Sequence, residues 1–390
     1  MQSTSPADTL RSLILSRRSR IADRLESLVA IDSGSYDAAG VDAVGDALAA
    51  LWHPLGFVAE RTALPGFGHQ LCLSRRFGPG PTILILGHLD TVWPRGMAAE
   101  WPFRLEDGIA HGPGVGDMKG GLVMAHAAVE ALIEEGIEGL GEIRHVLVPD
   151  EELGSAASRG WIEAEALKAD WVLVLEPGRE NGGVVVGRGA VGALVVRAKG
   201  RSAHTVSRAE GASAVAELAA KVRPLEALND PTSGDFVNIG ILSGGDARQV
   251  VPQDCEMHVD LRARTDARAE ALLGRIRAIL TTPIDPRVEV AIAGGITRPA
   301  FPRDVSTQLY EIAAGIAAEL GFDYPAVESA GGSDGSFAAA LGRPTLDGLG
   351  PVCFDSCSRR ECIPFDSLFD RAALMAALIA TLCAYPGAPH

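Results

Sequence analysis

The sequence lacks any run approaching the roughly 18 uninterrupted apolar residues of a membrane-spanning helix. Its opening, MQSTSPADTLRSLILSRRSRIADRLESLVAIDSGS, has no continuous apolar stretch of the secretion-signal type, because arginine interrupts it repeatedly. Positive charge is short: 35 Lys and Arg stand against 50 Asp and Glu, a formal net charge of −15. Such a chain is a poor prospect for nucleic acid, where Lys and Arg must neutralise phosphates, and equally for an anionic membrane surface. One or two local arginines can still hold an anionic substrate. Cysteine is sparse and scattered (Cys72, Cys255, Cys353, Cys357, Cys362, Cys383). That spacing suits no dense disulfide framework, so a reducing, cytoplasmic setting is expected.

What the chain does have is bulk. It is 390 residues long and 47% apolar, enough for a large core and for two or three domains. Leu10, Leu13, Ile14, Ile21, Leu25 and Leu28 recur at helical spacing and predict an amphipathic opening helix. Short apolar runs then alternate with helical patterns, the signature of an α/β fold. Residues 82–86 (TILIL), 143–148 (IRHVLV) and 171–175 (WVLVL) read as strands, and 119–135 as a helix. From residue 192 the order changes to strand 193–198, helix 212–228, strands 236–242 and 256–262, helix 268–280 and strand 288–292. The order β-α-β-β-α-β is that of a ferredoxin-like unit. The expected architecture is therefore a discontinuous α/β domain (1–191 and 295–390) with a central mixed sheet, interrupted by a smaller α+β domain (192–294).

Four of the first domain's strands or loops end in a metal-type ligand. His88 follows TILILG, Asp117 sits in HGPGVGDMKGG, Glu151 and Glu152 follow IRHVLVPD, and Glu176 follows WVLVL. Ligands of open α/β sheets gather at the carboxyl ends of strands. Several carboxylates and one imidazole converging there suit Zn²⁺, Mn²⁺ or Co²⁺. Asp90 lies two residues beyond His88, on the same face of an extended backbone. It is expected to take the hydrogen bond of the second imidazole nitrogen and fix the tautomer. Glu151 and Glu152, being adjacent, cannot easily share one role: one can bind metal while the other acts as general base.

In order and spacing, GHLDTVWP (87–94), GPGVGDMKGG (112–121), PDEELGS (149–155), GRSAHT (200–205) and GGSD (331–334) resemble the M20 metallopeptidases. Within that family the glutamate carboxypeptidases and the acetylornithine and succinyl-diaminopimelate deacylases are the nearest in pattern. The resemblance implies two divalent ions per chain. His88 and Glu176 would bind the first, Glu152 the second, and Asp117 would bridge them beside a cis peptide bond. Glu151 would be the general base. The smaller domain would be a dimerisation or lid domain, making the protein a homodimer, with His204 reaching across the dimer to stabilise the oxyanion. Arg262 would hold a substrate carboxylate by two prongs, and Gly331 and Gly332 would bring backbone close to a small carboxylate-bearing substrate.

Two departures stand out. The family closes its second metal site with a His in a segment of type H-S-x-x-E. Here Ser358-Arg359-Arg360-Glu361 places Cys357 at that position, and no histidine occurs between His258 and His390. Three readings follow: Cys357 is a thiolate ligand, the second site is weak and one metal suffices, or Asp355 is the ligand and Cys357 a small buried residue. Cys353 and Cys362 read as packing residues. The second departure is Gln249, in ARQVVPQ, where the family often has Asn, which should reshape the substrate pocket. The leading expectation is a carboxypeptidase or N-acyl-amino-acid deacylase. A hydrolytic deaminase of an aromatic amino-acid-like compound and a non-catalytic homologue are the alternatives.

Overall fold

The computed structural model describes residues 5–385. They form two compact units. The first holds the chain up to Gly187, Pro302–Glu328 and the chain from Ser333 onward; the second holds Arg188–Phe301 and Ser329–Gly332.

The first unit is built on a six-stranded mixed sheet. From one edge the strands are Val58–Leu64, Gly68–Arg76, Glu142–Val148, Thr82–His88, Trp171–Val174 and Thr345–Leu346. Thr82–His88 runs parallel to both neighbours, whereas Gly68–Arg76 is antiparallel to Glu142–Val148. Both faces of the parallel strands are covered. Ile83 and Ile85 pack with the helices Pro6–Leu15, Gly121–Glu135 and Phe365–Leu382, while Leu84 and Leu86 pack with Ile162, Ala166 and Phe337 on the other side. This double burial is why the strand reads as an unbroken apolar run rather than an alternation.

The opening segment forms two helices, Pro6–Leu15 and Arg18–Val29, not one. Ser16 and Arg17 form the break, and Leu10, Ile14, Ile21 and Leu25 on either side are buried in one core. The hairpin Val58–Leu64/Gly68–Arg76 was not expected, since its outer strand is exposed along nearly its whole length and carries no apolar pattern.

One polar cluster lies inside this core. His145 is fully buried, its ring 4.8 Å from that of Trp52, and neither ring nitrogen has a hydrogen-bond partner among the described residues; nor has the Trp52 indole N–H. Burial, with nearby His126, pushes the His145 pKa down to about 3. The unfolded chain takes up this proton below its ordinary value of about 6.5, whereas the folded chain refuses it until about pH 3. Stability from this group is complete above pH 6.5 and is lost as pH falls. His145→Leu is expected to flatten the decline between pH 6.5 and 5 by about 2 kcal/mol, read from urea midpoints at each pH. Parallel curves for parent and variant would refute the assignment.

The second unit has a four-stranded antiparallel sheet in the order Phe236–Gly244, Asp254–Ala263, Ala190–Lys199, Glu289–Arg298. The helices Ala214–Glu226 and Asp266–Thr281 pack on it around Leu194, Val196, Leu218, Met257 and Ile276. Asp254–Ala263 alternates buried and half-buried residues along most of its length, the period-two pattern of a sheet with one face on a core.

Candidate metal centre

The parallel strands set the site. Their register places His88 level with Val148 and Leu86 level with Val174. The chain leaves all three strands at the same edge, so Glu151, Glu152 and Glu176 emerge beside His88. Asp117 comes from the loop before Gly121–Glu135, and its peptide bond to Met118 is cis. Two groups of potential ligand atoms result, each within 4.8 Å of one another: His88, Glu151 and Glu176, and His88, Asp117 and Glu152.

His88 is held from three sides. Its backbone N–H meets Met118 Sδ at 3.2 Å, and its Nδ1 lies 2.9 Å from the Asp90 carbonyl oxygen and 3.4 Å from Asp90 Oδ1. The main-chain carbonyl of Asp90, more than its carboxylate, therefore fixes Nδ1 as the protonated nitrogen and turns Nε2 toward Asp117 Oδ1 at 3.1 Å. The Asp90 carboxylate has other work: it accepts the Ser35 hydroxyl at 2.7 Å and the backbone N–H groups of Glu151 and Glu152 at 3.2 Å each. Asp90 thus positions the glutamate pair as well as the imidazole, which its i, i+2 spacing from His88 could not reveal.

The charges agree with a cation site. Burial alone would lower the His88 pKa, but the carboxylates of Asp117 and Asp90 hold it well above the ordinary range. Burial, reinforced by Asp117, pushes Glu152 up to about 9, and burial with Glu151 and Asp117 raises Glu176 well above the carboxylate range. Glu152 Oε1 is buried without a hydrogen-bond partner among the described residues. An imidazole among carboxylates that repel one another, one of them with a buried oxygen left without a partner, fits a divalent ion, whose charge inverts these shifts.

The loop bearing Cys357 closes over this group. Cys357 Sγ stands 3.6 Å from Asp117 Oδ2, and Ser356 donates to the same oxygen at 3.0 Å. Cys357 belongs to neither ligand group. It is exposed rather than buried, and its φ of 59° is left-handed. Asp355 does not take a ligand's place: its carboxylate is paired with Arg360 at 3.0 and 3.2 Å. Cys353 is a packing residue, filling the space beside Gly116, where an added Cβ would lie 2.3 Å from its sulfur. The residue that sequence reasoning passed over is Glu361. It is fully buried and accepts the N–H groups of Gly116 (2.8 Å), Asp117 (3.1 Å) and Cys357 (3.2 Å). A carboxylate four residues beyond Cys357 was visible, but not what it would hold. Lys119, also buried, ties the Asp117 loop to the end of Arg18–Val29 by donating to the Ile31 carbonyl at 2.6 Å, and burial lowers its pKa to about 8.

The remaining candidates lie in the second unit. His204 and Gln249, both exposed, are brought together by a backbone bond from Thr205 N–H to the Gln249 carbonyl at 3.0 Å. Arg262 spends its fork on Asp260, two residues back on the same strand face, at 2.9 and 3.0 Å, and donates to the Ala330 carbonyl at 2.9 Å. Arg188 donates to the carbonyls of Gly331 and Gly332 at 3.0 and 3.2 Å. At Gly332 the neighbour that leaves no room for a Cβ is Arg298, 2.8 Å away.

Ligand groups of this kind at the carboxyl edge of a mixed sheet fit a divalent-metal centre. A family model described as peptidase family M20/M25/M40 matches residues 84–381, and the chain belongs to that family. It is 29% identical over 367 residues to carboxypeptidase G2 of Pseudomonas sp. (strain RS-16), covering 92% of this chain and 88% of that protein. It is 31% identical over 328 residues to a succinyl-diaminopimelate desuccinylase of Thioalkalivibrio sulfidiphilus (strain HL-EbGR7), covering 76% and 84%. The fold is also that of the aminopeptidase PepT of Bacillus cereus ATCC 10987, at a TM-score of 0.78 and 23% identity over 94% of this chain and 98% of that one. The protein is a metal-dependent hydrolase acting on an amide-type C–N bond of a carboxylate-bearing molecule. No helix among the described residues is long and apolar enough to cross a membrane.

Proposed function

We propose that the chain is a carboxypeptidase or N-acyl-amino-acid deacylase that cleaves the amide next to an amino acid with a free carboxylate. The observation that carries this is the pair of ligand groups sharing His88. Relatives named as a carboxypeptidase and a desuccinylase support the same bond type. His88, Asp117, Glu152, Glu176 and Cys357 would hold two divalent ions, Zn²⁺, Mn²⁺ or Co²⁺. When bound, such ions supply Lewis acidity, polarising the carbonyl and making water acidic enough to attack near neutral pH.

The residues do the rest. Glu151 takes the proton of the attacking water and hands it to the leaving amine. Asp90, through the N–H groups of Glu151 and Glu152, keeps the base and the ligand on their separate sides. His204, offered by a second copy of the chain, donates to the oxyanion. Arg262 turns from Asp260 to the substrate carboxylate, exchanging one two-pronged bond for another. The second unit, with its β-α-β-β-α-β order, serves as the ferredoxin-like dimerisation or lid domain. All six cysteines are unpaired, in keeping with a reducing cytoplasmic setting.

The test is amine release from N-acyl amino acids and dipeptides after loading with each metal. Turnover of free acids, with a loss of at least about 100-fold for the C-terminal carboxamides, is the expected result. Ammonia from aminobenzoate-type compounds with no amide cleavage would replace this reading with hydrolytic deamination. Metal content gives a second result: about two ions per chain, falling to about one in Cys357→Ala, by elemental analysis after removing excess metal. One ion in both proteins would exclude Cys357 as a ligand.

A further inference from the structure

The sheet of the first unit turns polar at the end away from the metal centre. On the face packed by the helix Arg159–Ala166, Cys72, Leu84 and Val146 are buried with Ile162 and Ala166. Two residues further from His88 on each strand, the same face carries Ser74, Thr82 and Arg144 instead. The helix stops at Ala166, and these three side chains lie in an open cleft of about 680 Å³ whose lining resumes at Lys168. Val58 and Glu60 of the edge strand extend it.

The cleft is cationic within an acidic protein. Arg75, Arg76, Arg144 and Lys168 line it against Glu60 and Glu142, whereas the chain as a whole carries −15. Arg144 and Lys168 are already bound: Glu165 accepts from Arg144 Nε at 2.8 Å and from Lys168 Nζ at 2.7 Å, and Glu142 accepts from Arg144 Nη1 at 2.9 Å. The other two arginines keep donors to spare. Arg75 is steadied by the Phe77 ring, 4.5 Å from its guanidinium, and by the Leu55 carbonyl, and has no carboxylate partner among the described residues. Arg76 approaches Glu142 only at 3.5 Å, and its side chain is 87% exposed. A concave surface with convergent polar groups is the form of a ligand site.

We propose that this cleft binds a small phosphate-bearing anion, held by Arg75 and Arg76 with the hydroxyls of Ser74 and Thr82. Two guanidinium groups and two hydroxyls offer more N–H and O–H donors than one carboxylate accepts, and they suit the several oxygens and double charge of a phosphate. The volume exceeds that of the phosphate alone, so a monoester with a small polar body fits better than the free ion. Glu60 opposes the ligand and limits its affinity. Thr82 opens the strand that ends at His88, so the cleft lies roughly 20 Å from the metal centre. The site is therefore separate from the hydrolytic one, and its existence does not depend on the amide-hydrolase reading.

The test is calorimetric titration of the full-length, metal-loaded protein with inorganic phosphate, glucose 6-phosphate and succinate at low salt. Both phosphates are expected to bind, the monoester more tightly, and succinate at least about tenfold more weakly. Arg76→Glu and Arg75→Gln should each weaken glucose 6-phosphate about tenfold or more, as loss of a charge-assisted hydrogen bond predicts. Glu60→Gln should tighten it. Arg76 and Glu60 are exposed, so these changes leave the core intact, and hydrolysis by both variants should match the parent. Binding of inorganic phosphate with exclusion of the monoester would keep the anion site and assign it to the free ion. Succinate binding as tightly as the phosphates, no phosphate binding at all, or phosphate binding indifferent to all three variants overturns the proposal. None of these outcomes bears on amide hydrolysis, which is read separately by amine release.

Discussion

Glu151→Gln is expected to lower kcat by about 10²–10⁴-fold, the usual contribution of a positioned general base, and to leave the metal content of the protein unchanged. Gln keeps the shape of Glu and the backbone N–H that Asp90 accepts at 3.2 Å. Only the capacity to take a proton is lost. The two readouts must be taken together, because Glu151 also lies within reach of His88 and Glu176 as a possible ligand. Intact metal with lost turnover identifies the base. Loss of an ion identifies a ligand, and the search for the base then moves to Glu152. Undiminished turnover would remove Glu151 from the chemistry.

Glu361→Ala is expected to destabilise the protein by about 3 kcal/mol or more, because three N–H groups at once lose their acceptor in a buried place. Burial, with Asp117 close by, pushes the Glu361 pKa up to about 7, against the pull of those three N–H groups. Glu361→Gln retains one acceptor oxygen and should recover part of the loss. The check is the urea midpoint of metal-free protein, so that altered metal affinity does not enter. Equal midpoints for parent and Glu361→Ala would show that the N–H groups find other acceptors and that the two loops do not depend on this carboxylate.

The sequence carried the frame of this site because its ligands follow strands buried on both faces. A run such as TILIL can only be central, and its carboxyl end is where His88 must emerge. What stayed hidden depends on contacts distant in sequence. Glu361 reaches back 245 residues to Gly116, and Asp90 reaches 61 residues forward to Glu151; no local spacing encodes either. Arg262 is the local counterpart: Asp260 shares its strand face, so this ion pair is visible to a period-two reading of the strand. The break at Ser16–Arg17 was missed because an apolar stripe continues across it when both helices face one core.

Glu361 grips position 357 by its backbone N–H and leaves the side chain there unengaged by that bond. The shape of the loop and the side chain it presents are therefore separable, like a socket and its plug. A family that ordinarily presents imidazole at this point can present a thiol without rebuilding the loop, because the carboxylate that shapes the loop never reads the side chain. With Cys357 in the ligand role proposed above, metal preference would move from borderline toward soft ions by a single codon change, and Cys357→His would move it back.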